Sequence, residues 1–188
     1  MLSKSVSGFF SRMRAAAREM HDVRSLAGTS MFAAITVILD RIATFQVSQI
    51  LEISFSFVAV AASAYLYGPW LAGLSGVVVD VLAYFLRPNG GFFIGFTLNQ
   101  FLLGFIYGCW LYKKPVTLWR CAAACLSVVL VLNLFLTPLW LNLMYGNAFV
   151  ITTLRLVKNI VKFPIDTALL YVVLKFAEKR LAPHLRRV

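Results

Sequence analysis

The chain has 188 residues, 61% of them hydrophobic, with a mean hydropathy of +0.83 and a formal net charge of +11. A soluble domain is close to half apolar, and several apolar runs here approach the roughly 20 residues that cross a bilayer. Composition therefore excludes an ordinary soluble globule and predicts an all-α polytopic membrane protein. Helices are expected rather than a barrel, because the runs are continuously apolar and lipid offers backbone groups no partner.

In a chain this apolar the positive charge reads as topology, since cytoplasmic loops collect Lys and Arg. Nucleic acid is excluded as a partner because no basic soluble domain exists to carry it. The three cysteines, Cys109, Cys121 and Cys125, form no CxxC pair and no His/Cys cluster, so no metal is expected. Residues 1–25 lack the short apolar core of a cleavable signal.

In chain order, residues 1–25 read as a basic amphipathic segment. Phe9, Phe10, Met13, Ala17 and Met20 fall on one side, with Arg12, Arg14 and Arg18 elsewhere, as in helices that lie on a membrane surface. A first span is predicted from Leu26 to Ala43. Its face holds Ala27, Ser30 and Ala34, and Ser30-x-x-x-Ala34 is a small-residue pair that lets another helix approach closely, within the chain or from a partner. Residues 44–54 are too polar to span and read as a loop or re-entrant cover.

The apolar run 55–86 would measure about 48 Å as one helix at ~1.5 Å per residue, too long for a hydrocarbon core of ~30 Å. Gly68-Pro69 is a turn signal inside it, which divides it into spans 55–67 and 70–86. Asp80 in the second should be paired, Arg41 being the favoured partner. A loop, Arg87 to Gly91, leads to a fourth span, Phe92 to Tyr112, whose Asn99 and Gln100 need hydrogen-bond partners. A fifth span, Arg120 to Leu141, is expected to break at Pro138. Asn142, Tyr145, Gly146 and Asn147 then make a loop, and a sixth span runs from Ile151 to Phe176. The domain plan is thus a cytoplasmic segment 1–25, a six-helix domain 26–178 and a basic cytoplasmic tail 179–188.

Both termini are basic and belong on the cytoplasmic side, which requires an even number of spans. Six spans also place Lys113, Lys114 and Arg120 inside. They leave Arg41, Arg87, Arg155, Lys158 and Lys162 toward the outer side, where the rule disfavours cations. Arg155, Lys158 and Lys162 share one helical face with Asn159 beside them. Lys162 is expected to pair with Asp166 at i, i+4. Arg155 and Lys158 are expected to grip an anionic ligand, with Arg able to hold a carboxylate in bidentate fashion. Phe92, Phe93, Phe96, Trp140, Tyr145 and Phe149 gather at the same end, either as an interfacial belt or as walls for a flat heterocycle. No phosphate loop, HExxH or GxSxG motif is present. An intramembrane enzyme would have only Asp80 and Asp166 to use. Six short spans without a visible inverted repeat fit a binder that needs a partner better than a self-sufficient transporter.

Four stretches carry a resemblance: Ser30-Met-Phe-Ala-Ala34 through Asp40-Arg41; Tyr67-Gly-Pro-Trp-Leu-Ala-Gly73 leading to Asp80; Arg87-Pro-Asn-Gly-Gly-Phe-Phe-Ile-Gly-Phe-Thr97; and Gly104-Phe-Ile-Tyr-Gly108. In this order and spacing the chain resembles the substrate-binding S components of energy-coupling factor (ECF) vitamin transporters. The closing Arg155-Leu-Val-Lys-Asn159 with Phe163-Pro164 resembles the folate-specific members. The resemblance implies six helices, a vitamin site near the outer face of the cell membrane, and no enzymatic activity. It implies partners: a transmembrane coupling protein and two ATPase subunits, which use the ATP, while this chain binds no cofactor of its own. A small-residue pair on the first helix packs on the coupling protein in that family, which here points to Ser30 and Ala34 with Ala27 above them. The expected substrate-binding set is Arg155, Lys158, Asn99, Arg87, Asn147, Phe96 and Trp140, for folate or another vitamin.

Overall fold

The computed structural model describes residues 2–42, 44–46, 52–86, 92–145 and 148–180, with side chains described for 11–42, 54–86, 92–144 and 159–180. The described elements are α1 (Leu2–Glu19), α2 (Val23–Ile42), β1 (Thr44–Gln46), β2 (Glu52–Ser54), α3 (Phe57–Tyr67), α4 (Pro69–Leu86), α5 (Ile94–Leu111), α6 (Leu118–Val128), a π-helical segment (Val129–Leu136), α7 (Thr137–Tyr145) and α8 (Ala148–Arg180). Among the described residues, four helical rods are long and apolar enough to cross a membrane: α2, α4, α5 and the continuous rod Leu118–Met144. The helix α3 is apolar but short, and α8 is long but carries charge along its length.

The turn predicted at Gly68-Pro69 is present. Gly68 adopts φ +92°, a left-handed value that suits a residue without Cβ. Pro69 opens α4, where its missing N–H has no helical acceptor to lose. Ala16 of α1 is fully buried, and a Cβ on Gly68 would lie 3.0 Å from its methyl. So α1 is docked on the turn between α3 and α4, more than the surface-lying segment that its pattern predicts. Glu19 fixes the dock. It takes a hydrogen bond from the Tyr112 hydroxyl and pairs with Lys113 at 3.2 Å. Asp22 then starts α2 by accepting the Ser25 N–H at 3.1 Å and its hydroxyl at 2.9 Å. These bonds from Ser25 hold the Asp22 carboxyl below its ordinary pKa.

Helices α4 and α5 cross with almost no side chain between them. A Cβ on Gly104 would lie 2.4 Å from the Ala72 carbonyl oxygen, and one on Gly108 would lie 2.4 Å from the Pro69 Cα. Small residues permit that approach, and close van der Waals contact is the main attraction between helices in lipid. Around this crossing Ala61, Ala72, Tyr107, Cys121, Leu170 and Leu174 form the core. Cys121 and Cys125 are buried free thiols, as small-residue packing predicts.

Three expectations change. Residues 44–54 are not simply a loop, because β1 and β2 pair antiparallel with Thr44 opposite Ser54 and Gln46 opposite Glu52. Pairing satisfies backbone groups that a loop would leave to water. The fifth span does not break at Pro138. The backbone widens into the π-helical segment just before it, and the Thr137 N–H reaches the Leu132 carbonyl five residues back. A wider turn accommodates a proline that cannot donate to the carbonyl of Leu134. As a result Asn142 and Tyr145 are helical residues of α7, not loop residues. The predicted loop at 87–91 and the pair Gly146-Asn147 lie outside the described residues.

Candidate functional site

Polar side chains that the apolar helices have to satisfy gather at the ribbon end of the bundle, opposite the dock of α1. Asn99, one and a half turns into α5, faces the start of α7. Its Nδ2 donates to Thr137 Oγ1 at 3.1 Å, and its Oδ1 accepts from Trp140 Nε1 at 3.1 Å. Thr137 directly follows the π-helical segment and Trp140 lies three residues on, so the widened turn sets both relative to α5. The Trp140 ring lies against Phe93, centroids 5.7 Å apart, and Phe93 stands edge-on to Phe96 at 6.0 Å. Gly95 lets them close, since a Cβ there would meet both Phe93 and Trp140 below 3 Å.

The arrangement gives one amide locked in orientation beside a half-buried aromatic wall. A primary amide has two N–H donors and two carbonyl lone pairs. Each pole of Asn99 uses one on the protein and, among the described residues, keeps one free. That is the complement of a flat heterocycle with adjacent donor and acceptor, packed on aromatic rings.

One turn back along the same rod, Asn133 sits in the middle of the π-helical segment. Its Nδ2 donates to Asn159 Oδ1 of α8 at 3.4 Å. Asn159 is 7% exposed, and its own Nδ2 finds no acceptor among the described residues. A buried donor left open is costly unless something else meets it.

Further down α8, Lys162 carries out the pairing predicted for it. Its Nζ lies 3.4 Å from Asp166, and it also donates to the Ser54 carbonyl at 2.9 Å, with the rings of Phe55 and Phe57 beside it. Ser54 and Ser56 in turn donate to Asp40 at the end of α2, at 3.3 and 3.4 Å. Lys162 thus ties the ribbon to α8, and Asp40 ties it to α2. Both charged side chains of the Lys162–Asp166 pair are 18% exposed. Lys162→Met removes the ammonium that meets Asp166 and the Ser54 carbonyl and is expected to destabilise the protein by about 3 kcal/mol. Lys162→Met with Asp166→Leu should recover most of that in a thermal melt in detergent. A double variant no more stable than the single would show that the ion pair is not what Lys162 contributes.

The expected Asp80–Arg41 pair does not form. Asp80 accepts from Thr97 Oγ1 at 2.6 Å, and Arg41 donates to the Ala83 carbonyl at 3.2 Å. The hydroxyl one turn into α5 is nearer to Asp80 than any guanidinium among the described residues, and it satisfies the carboxylate without a second buried charge.

Of the predicted binding residues, Asn99, Phe96 and Trp140 are brought together. Arg155 and Lys158 are residues of α8, with side chains outside the described set, and Arg87 and Asn147 lie outside the described residues altogether. Ala27, Ser30 and Ala34 all lie on an exposed face of α2, away from the packing of the other described helices. Thr137 and Asn133 were not singled out from the sequence. A lone amide in the run Val131-Leu-Asn133-Leu-Phe was the available signal for Asn133; Thr137 had none beyond its proline neighbour.

With that geometry in view, the family profile described as ECF transporter, substrate-specific component, matches residues 24–174. The chain is 37% identical over 131 residues to the folate transporter FolT of Clostridium novyi (strain NT), covering 69% of this chain and 76% of that protein. It is 31% identical over 160 residues to FolT of Leuconostoc mesenteroides subsp. mesenteroides, covering 81% and 85%. The fold superposes on a crystal structure of FolT bound with folic acid with a TM-score of 0.75 at 38% identity, covering 80% of this chain and 92% of that one.

Proposed function

The chain belongs to the family of ECF transporter substrate-specific components, and from that premise we infer how it serves as the folate-binding membrane subunit of such a transporter. The observation that carries the site is the Asn99 amide, held by Thr137 and Trp140 beside Phe93 and Phe96. Folate offers a flat pterin with neighbouring donors and acceptors and a glutamate tail with carboxylates. The pterin lies against Trp140 and Phe96 with its edge on the remaining donor and acceptor positions of Asn99. Arg155 and Lys158 of α8 meet the tail carboxylates, with Arg87 and Asn147 as further binding residues. Binding removes the ligand from water by aromatic contact, while the amide fixes its orientation.

The six rods after α1 each cross the membrane, with the ribbon end outside and α1 and the basic tail in the cytoplasm. Ligand is captured at the ribbon end. The ATP-driven step belongs to a coupling protein and two ATPase subunits, and this chain carries no catalytic group or cofactor. The exposed face of α2 at Ala27, Ser30 and Ala34 meets the coupling protein. Ser30→Trp or Ala34→Phe should abolish co-purification with the coupling protein and ATP-dependent folate uptake into proteoliposomes, with folate binding by the isolated chain unchanged. Co-purification at the wild-type level in both variants would remove this face from the interface. Uptake of folate that proceeds without the partner subunits would overturn the assignment as a dependent subunit.

A further inference from the structure

Among the described residues, the hydroxyls of Thr29 and Ser63 are buried without a hydrogen-bond partner. A hydroxyl on a helix can still turn to the carbonyl four residues back, as Thr36 does in donating to the Phe32 carbonyl at 2.7 Å. The amide of Asn159 has no such recourse. The residue is 7% exposed, and its Nδ2 is buried with no acceptor among the described residues. Its Oδ1 accepts from Asn133 Nδ2 at 3.4 Å, so the group is held by one pole and open at the other. The open pole is a donor only. An N–H that is unmet and out of water costs free energy, and an acceptor that meets it recovers that cost.

Its place in the fold says what that acceptor belongs to. Asn133 lies in the π-helical segment, four residues before Thr137. Thr137 Oγ1 accepts from Asn99 of α5, and Asn133 donates to Asn159 of α8. The widened turn thus sets two amides against one stretch of the rod, Asn159 one turn further in than Asn99. Widened turns of this kind are frequent at functional sites. Along α8, Asn159 comes four residues after Arg155, further from the end where the helix begins.

We propose that Asn159, held by Asn133, is the inner contact of the folate site, and that its open N–H donates to an acceptor on the pterin ring, a carbonyl oxygen or an unprotonated ring nitrogen. This rests on the folate reading above and adds to it a donor at the inner edge of the ligand. The tail carboxylates are acceptors too, but a charge carried past Arg155 and Lys158 receives one N–H in exchange for its water. The flat neutral ring is the part of the ligand that suits a buried amide.

Thermal melts and calorimetric titration with folate in detergent test this on the wild type and on Asn133→Leu with Asn159→Leu. Removing both amides leaves neither one unmet, so the ligand-free double variant should melt about 3 °C above the wild type. Its folate affinity should fall about tenfold, the worth of one hydrogen bond. A ligand contact gives these opposite signs, and a purely structural joint does not. Asn159→Leu alone should show the same loss of affinity without the gain in melting temperature. A double variant that fails to fold, or that melts below the wild type, makes the amide pair a structural joint and overturns the proposal. Folate bound equally well by the wild type and the folded variants defeats this inference alone. No folate binding by a folded wild-type chain defeats the folate reading and this inference with it.

Discussion

Gly108→Val is expected to leave no folded protein. A Cβ at that position would sit 2.4 Å from the Cα of Pro69 and 2.6 Å from its nitrogen. Those are backbone atoms at the first residue of α4, and they cannot rotate away. Relief requires the two helices to separate, which forfeits the contact that holds them, or requires the Gly68 turn to move, which displaces Ala16 and α1. Ordinary overpacking costs about 1–3 kcal/mol, and a backbone clash that opens the α4–α5 crossing should exceed that and consume most of a typical stability of 5–15 kcal/mol. Gly104→Val, which meets the Ala72 carbonyl at 2.4 Å, should behave alike. Gly28→Ala provides the contrast. Its Cβ would meet the Tyr67 hydroxyl at 2.0 Å, but that atom is the tip of a side chain, so a milder loss is expected. Size-exclusion chromatography in detergent checks all three. A monodisperse, folate-binding Gly108→Val protein would show that the α4–α5 crossing is not as tight as drawn.

Asn99→Leu is expected to lower folate affinity by about a hundredfold or more. The substitution keeps the volume but removes both poles of the amide. It leaves Trp140 Nε1 without its acceptor and Thr137 Oγ1 without its donor, and it takes away the two positions that the proposed site offers to the ligand. A polar group left unmet costs about 1–3 kcal/mol, so two such losses in the bound state reach that range. Thr137→Val separates positioning from contact. It frees Asn99 Nδ2 without removing the amide and should weaken binding less, about tenfold, through lost orientation. Calorimetric titration with folate in detergent measures both. Wild-type affinity in Asn99→Leu, with the protein folded, would take the amide out of the site.

The residues that read correctly from sequence are those whose chemistry is anomalous in an apolar chain. Gly68-Pro69 interrupts a run too long to be one span, and the structure turns there with φ +92°. Lys162 and Asp166 are a costly pair at helical spacing, and they meet. Asn99 carries an amide that must be satisfied, and Thr137 and Trp140 satisfy it. What was not legible depends on how helices meet. Asp80 had several plausible partners by charge, and the choice of Thr97 is set by the α4–α5 crossing. Pro138 announces a disturbance in a helix but not its form. The widened turn that replaces a break is what carries Asn133 to Asn159 and Thr137 to Asn99. The pattern of α1 shows an amphipathic segment, yet only the packing of Ala16 under Gly68 shows that it is docked.

The central claim is that this chain alone binds folate at the ribbon end, through the Asn99–Trp140 wall and the cations of α8. Calorimetric titration of the purified chain with folate, repeated with Arg155→Ala, tests it most directly. The account predicts saturable one-to-one binding by the wild type and a large loss in the variant. A well-folded wild-type chain that gives no heat with folate would contradict it.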